Sequence, residues 1–386
     1  METTAQAFID RCFRFNRTKG PCQTYIRRAV REMQRLEHVA INGTFADETV
    51  LLHLTSVPTL TSMFLETAES GTSTFIDTAD IHLFPRLRRF ILSNGDHAPD
   101  NFLSAINPAP ALEALSIPWI YQYSPDNTAG VVDRILGTLE RSNLSSLGIH
   151  LTTRLAQLIT ERNILFDLRL LPRAQECLQP LLRLSQLRVV KLELAVAFLV
   201  DNAFLRELAL ALPRMELLSL IPFCNGRLVG LTEGESAPLP TVDGLLPLVE
   251  HCRHLADIAL AICPLVSPDF NLDIRRMSQQ ASLRKMRLWA TPIDDDSWAQ
   301  NLSQFFPSAF PGLEQATVGI FVLTDQEQKK LRSQGAVLTR RWESALGGFR
   351  PSINPAVHFV DALAFREVLL VCISCWLTSP LQALYP

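Results

Sequence analysis

The feature that most constrains this chain is a short pattern, L-x-x-Φ-x-Φ with Φ apolar, that returns ten times. Its copies begin at Leu36, Leu60, Leu87, Leu112, Leu144, Leu187, Met215, Leu255, Leu283 and Leu313, each with an apolar residue three and five positions later. A separation of two residues puts those last two side chains on one side of a strand, as in Val39 with Ile41, Phe90 with Leu92 and Met286 with Leu288. One such strand cannot bury its apolar face alone, so each unit is stable only when its neighbours stack on it. A length of 386 residues would also allow two or three ordinary domains, but the repeats commit it to a single elongated solenoid.

Between the strands the apolar period becomes helical. Val131, Val132, Ile135, Leu136 and Leu139 fall on one helix face, and Phe204, Leu205, Leu208, Ala209 and Leu212 repeat the same offsets. Asp47, Asp100, Asn127, Asp201, Asp243, Asp269 and Asp296 stand where helix N-caps belong. Val57-Pro58, Phe84-Pro85, Leu212-Pro213 and Phe310-Pro311 close helices ahead of the next strand. Parallel strands joined by helical crossovers run right-handed, so the expected fold class is α/β: a right-handed solenoid curved into a horseshoe, with parallel strands on the concave face and helices on the convex face.

The anchors are 24, 27, 25, 32, 43, 28, 40, 28 and 30 residues apart. In the longest interval, the leucine-rich run from Arg154 to Leu184 has room for two helices or a degenerate extra repeat. The other long interval contains residues 224 to 240, rich in Gly, Pro and Ser, and reads as a surface loop. The pattern stops after Val318, and Gln326 to Leu346 reads as a charged helix. The expected organisation is a basic N-terminal cap segment over residues 1–32, a solenoid of about ten units over 33–325, and a C-terminal cap or tail over 326–386. Its apolar stretch from Phe359 to Leu377 covers the end of the array or docks a partner.

Composition narrows the functional classes. Hydrophobic residues make up 47% and charged residues 19%, which is enough apolar material for a continuous core. A net charge of -3 predicts no general attraction to nucleic acid or to an anionic membrane. Eight thinly spread cysteines fit reduced thiols better than a disulfide framework. No basic and apolar leader is visible at the N-terminus. Val368 to Leu377 is too short to span a bilayer, and the expected location is therefore cytoplasm or nucleus.

The repeats resemble the leucine-rich-repeat family in the irregular form found in fungal F-box-like proteins. Met33-Gln-Arg-Leu-Glu-His-Val-Ala-Ile41 and Phe84-Pro-Arg-Leu-Arg-Arg-Phe-Ile-Leu92 have that family's helix-end and L-x-x-L-x-L wording, and the likeness covers about Met33 to Phe321. In the family an Asn or Cys usually follows the third apolar position by three residues. Cys263 fits, whereas Thr44, Ala68, Thr152, Ala195, Thr291 and Phe321 occupy the corresponding places. The Leu-Pro of an F-box helical module is not found ahead of the first repeat, so adaptor binding through the N-terminus is not expected of this chain. The resemblance implies a non-catalytic protein-recognition scaffold, the substrate-recognition part of a ubiquitin-ligase receptor.

No Gly-rich phosphate loop, G-x-S-x-G elbow or H-E-x-x-H occurs, and neither a cofactor nor a metal is expected. Cys372-Ile-Ser-Cys375 has no second Cys or His pair nearby, and Asp294-Asp295-Asp296 lacks the alternating spacing of a calcium loop. The alternative is a solenoid with a cryptic enzymatic or nucleic-acid-binding role. For a protein partner of unknown identity, the candidate contact residues lie between or beside the strand anchors: Arg88, Arg89, Trp119, His150, Lys191, Arg284, Arg287 and Trp289. Arginine and large aromatics dominate interface energetics.

Overall fold

The protein, seen in a computed structural model, is described over residues 36–42, 53–66, 84–93, 111–122, 130–139 in part, 143–153, 165–167, 178–194, 200–222, 227–229, 239–263, 279–290, 293, 296–320, 325–346 and 352–354. The N-terminal segment 1–32 and the stretch Phe359 to Leu377 lie outside these residues, as do Asp47, Asp100, Asn127 and Asp269.

Among the described residues every L-x-x-Φ-x-Φ copy delivers a strand. These are β1 (His38–Asn42), β2 (Ser62–Glu66), β3 (Arg89–Ser93), β4 (Ala114–Gln122), β5 (Ser146–Thr153), β7 (Val189–Leu194), β8 (Leu217–Pro222), β10 (Asp257–Ile262), β11 (Lys285–Ala290) and β12 (Gln315–Ile320). With β13 (Ser352–Asn354) they form an eleven-stranded sheet in chain order, and each neighbouring pair is parallel. Two further strands, β6 (Leu165–Asp167) and β9 (Arg227–Val229), pair separately and also in parallel.

The register follows the pattern without slipping at its centre. Val39, Met63, Phe90, Leu115, Leu147, Val190, Leu218, Ile258, Met286 and Ala316, the fourth position of every copy, form one row across ten strands. All ten are buried, as are the ten first positions, because a one-residue slip would turn the whole apolar set outward.

A tight turn opens most units. The first-position N–H donates to the carbonyl three residues back: Leu60 to Val57 (3.3 Å), Leu87 to Phe84 (3.1 Å), Leu187 to Leu184 (3.0 Å), Met215 to Leu212 (3.1 Å), Leu255 to Cys252 (3.0 Å) and Leu313 to Phe310 (3.1 Å). Pro58, Pro85, Pro213 and Pro311 follow the first residue of their turns, where a fixed φ suits the geometry and no N–H is needed.

The second position holds neighbouring units together. Its carbonyl accepts two N–H groups of the next unit, as Glu37 does from Thr61 (2.9 Å) and Ser62 (3.1 Å) and Arg284 does from Glu314 and Gln315 (both 2.9 Å). Its side chains run in triplets of small residue, Arg and Glu: Thr61-Arg88-Glu113, Ser145-Arg188-Glu216 and Ala256-Arg284-Glu314. Arg88 pairs with Glu113 at 3.8 Å, Arg284 with Glu314 at 3.3 Å, and Arg188 Nε donates to Glu216 at 2.9 Å. These pairs are exposed, so each contributes about 0–1 kcal/mol and chiefly favours the correct neighbour.

Helices cover the face carrying the fourth and sixth positions. They include α1 (Asn202–Ala211), α2 (Leu246–His251), α3 (Asp296–Ala309) and α4 (Asp325–Ala345). Phe204, Leu205 and Leu208 of α1, and Leu302, Phe305 and Phe306 of α3, join the strand anchors in one continuous core. Val132, Ile135, Leu136 and Leu139 are helical and buried in the same core, as the period of that segment requires. Asp201 caps α1 by accepting from the Phe204 N–H (2.8 Å). Asp243 does not hold a cap position: Thr241 does, and Asp243 lies inside the short 3-10 turn Val242–Leu245, accepting from the Thr241 hydroxyl. Asp296 is the first residue of α3 and accepts from Arg341 Nε of α4 (2.6 Å).

β4 contains Pro118, which cannot donate to the ladder, and the strand takes up one extra residue there: Ile117 and Ile120 oppose Ile149 and Leu151. The interval expected to hold two helices or another repeat contributes β6 and a 3-10 turn, Gln179–Arg183, among its described residues. The loop expected over 224 to 240 contributes β9, which pairs with β6. The charged helix expected over Gln326 to Leu346 is α4, whose Leu338 and Trp342 are buried, and β13 lies alongside β12 within the segment expected to cap the array.

Candidate functional site

Alternation divides each strand between two destinations. Positions four and six go to the helices, so positions three, five and seven occupy the opposite face, the helix-free face among the described residues. Along β11 these are Lys285, Arg287 and Trp289. Lys285 and Arg287 are exposed and Trp289 is half-buried, while the intervening Met286 and Leu288 are each 1% exposed.

The eight predicted contact residues do not form one site. Lys191, Arg287 and Trp289 belong to the helix-free face, where Lys191 and Arg287 share one register row with the buried Ser219 and Ala259 between them, so the two cations are exposed at separate places. At about 4.8 Å per strand, that row separates the two cations by about 14 Å. Arg89 begins β3 on the same face and is half-buried. Trp119 and His150 are placed by their backbones alone. The extra residue at Pro118 brings Trp119 opposite Ser93, and His150 stands against the bulge and opposite Glu193.

Arg88 and Arg284 go elsewhere. Both occupy the second position, just before their strands, and are engaged with Glu113 and Glu314 of the next unit. Arg284 also donates to the Gly312 carbonyl (3.1 Å). Their role in the fold is to link units. Alternation with Met286 also sends Lys285 to the helix-free face, two residues from Arg287. Neither Lys191 nor Lys285 has an ion-pair partner among the described residues. Arg287 Nη2 lies 3.5 Å from Asp257 Oδ1 of β10, an ion-pair distance without the alignment of a hydrogen bond.

Two polar groups missed by sequence reasoning sit on the helix side. Gln280 is 2% exposed in a row otherwise filled by Leu184, Leu212, Cys252 and Phe310. Its amide donates to the Cys252 carbonyl and accepts from the Ser282 N–H (3.3 Å), and its backbone N–H donates to Ala309 (2.8 Å). Asn202 makes a two-way bridge to the next unit. Its amide donates to the Thr241 hydroxyl (2.7 Å) while its oxygen accepts from the Thr241 N–H (2.9 Å). Both side chains satisfy loop backbone where units meet, so their chemistry is structural.

The Cys252 thiol faces the carbonyls of Ala209 (3.8 Å) and Leu212 (3.7 Å) in the core. Burial pushes its pKa up from 9.0 to about 12, which keeps it protonated and unreactive. Iodoacetamide labelling followed by peptide mapping should leave Cys252 unmodified in the native protein at pH 8 and modify it in denaturant. Because the folded pKa is raised, this group's stabilisation is full below pH 9 and is lost as pH rises towards 12. Among the described residues no group of three or more His, Cys, Asp or Glu is arranged to hold a metal ion, and no helix is long and apolar enough to cross a membrane.

No family model matches the chain, and no curated protein matches it. Among solved structures it is similar to one described as the crystal structure of the Rad7 and Elc1 complex in yeast. The identity is 15% and the TM-score 0.37, over 78% of this chain and 75% of that one. A likeness of that size adds nothing to the sheet order already described.

Proposed function

We propose that this chain is a non-catalytic protein-recognition scaffold that holds its partner on the helix-free face of the sheet. The array is read as right-handed and curved so that this face is concave. One observation carries the reading. Lys191, Lys285 and Arg287 are exposed on that face and Trp289 is half-buried beside them, on a parallel sheet whose other side is closed by helices. Within the same reading, the chain serves as the recognition part of an F-box-like ubiquitin-ligase receptor in the cytoplasm or nucleus. Its support is the helix-end and L-x-x-L-x-L wording of segments such as Phe84 to Leu92.

The test is affinity capture from cell extract with wild type and with a Lys191→Glu/Arg287→Glu variant, both changes being at exposed positions. Proteins retained by wild type and lost by the variant, with unchanged thermal melting, support the reading. Identical captured sets overturn it.

A further inference from the structure

Resting on the reading of the helix-free face as a partner surface, we infer that its β11–β13 end takes an extended acidic segment with the pattern carboxylate-x-carboxylate-x-apolar, the two carboxylates at Lys285 and Arg287 and the apolar side chain at Trp289. The face positions of the three strands are Lys285, Arg287 and Trp289 on β11, Gln315, Thr317 and Gly319 on β12, and Ser352 and Asn354 on β13. The two charges in this set are both positive, in a chain whose net charge is -3. On the β10 side one carboxylate, Asp257, stands opposite Lys285 in register and lies 3.5 Å from Arg287. Toward β12 the two cations border neutral side chains.

The hydrophobic element is set by the cross-strand neighbours of Trp289. Opposite it in β10 is Ala261, 5% exposed, and opposite it in β12 is Gly319. The glycine in register with it contributes no side chain of its own, which leaves room in β12 for an incoming apolar group beside the indole. A half-buried tryptophan is a low-entropy anchor of the kind that dominates interfaces.

Spacing selects an extended partner. Lys285, Arg287 and Trp289 are two residues apart, about 6.6 Å between successive side chains along the strand. An extended peptide lying along β11 repeats on the same side with the same two-residue step, so alternate side chains of one short segment meet all three positions. A single-stranded nucleic acid would want several basic and aromatic positions along its track, and this end of the face supplies two cations and one indole. The observations favour a peptide.

The test is fluorescence anisotropy at low ionic strength with the full chain and a labelled Gly-Glu-Gly-Glu-Gly-Phe-Gly peptide, together with its reversed sequence. One of the two should bind, and rising salt should weaken it. Lys285→Gln/Arg287→Gln, which removes both charges without setting new carboxylates beside Asp257, should weaken binding about tenfold or more while a native melting transition is retained. Trp289→Leu should weaken the Phe peptide and leave its Ala counterpart unchanged, which separates an anchor from simple charge attraction. No binding by either peptide, equal binding by the double variant, equal binding of a Lys-for-Glu peptide, or tighter binding of oligothymidylate would each overturn the inference. Failure here with capture still lost in the Lys191→Glu/Arg287→Glu variant would remove the acidic-segment assignment alone. Failure in both experiments would remove the face reading itself.

Discussion

Leu187→Asp is expected to leave the array unfolded, or destabilised by about 3 kcal/mol or more, because it buries an unpaired carboxylate. Leu187 is fully buried at the first position of the unit that contributes β7, and its N–H closes the turn from Leu184. The aspartate could not be accommodated by rotating outward, since the same backbone carries Val190 and Leu192, both fully buried, into the helix interface. Lys191→Asp, four residues along and exposed, should cost under about 1 kcal/mol. Thermal melting followed by circular dichroism checks the pair. Equal midpoints for Leu187→Asp and wild type would contradict the register on which every other assignment depends.

Gly312→Ala should be the most disruptive single-methyl change at a described glycine. Gly312 sits in the Phe310–Leu313 turn, and a Cβ there would stand 2.1 Å from the Ala281 carbonyl oxygen and 2.9 Å from its carbon. Those atoms are backbone of the preceding unit, so relief requires two units to separate. We expect a loss of about 1–3 kcal/mol, the usual range for overpacking a tight contact. Gly137→Ala provides the opposite sign. That residue is exposed in a helix with nothing within 4 Å of the added atom, and alanine there should stabilise by about 0.5–1 kcal/mol. Denaturant midpoints for the two variants should move in opposite directions; a shared direction would mean that the turn yields where the structure shows contact.

Much of this fold was legible because period two is enforced by burial. Each of the ten anchors could be read from the sequence, since turning Leu187 or Met286 outward would expose a whole row. The eleventh strand could not. Aligning Ile353 with Val318 puts Gly348 and Pro351 where the pattern needs apolar anchors, so β13 is specified by its neighbour and not by its own residues. The strands β6 and β9 were illegible for a similar reason: three residues each, they carry too short an alternation to stand out.

The candidate site was legible in its residue types and less so in its grouping. Arg88 and Arg284 differ from true face residues by one position, and only the start of the strand decides whether a side chain joins the face or reaches for the glutamate of the next unit. Gln280 looks like a surface residue in the sequence because its partners, the Cys252 carbonyl and the Ser282 N–H, are revealed only once the units stack.

The β6–β9 pair changes what kind of object the array is. Units that touch only their neighbours open one at a time, and damage at one place stays there. Here Leu165 lies opposite Arg227, so the segment following β5 is fastened to the segment following β8, past the intervening β7. β7 can then open only within a closed ring of chain, and β5, β7 and β8 should exchange their amide hydrogens as a block, at one common rate in mild denaturant. Strands β10 to β12, which the ring does not include, should release theirs in graded order. The chain should then open as a graded series with one locked span, and that span contains Lys191 while the Lys285–Trp289 strip lies beyond it.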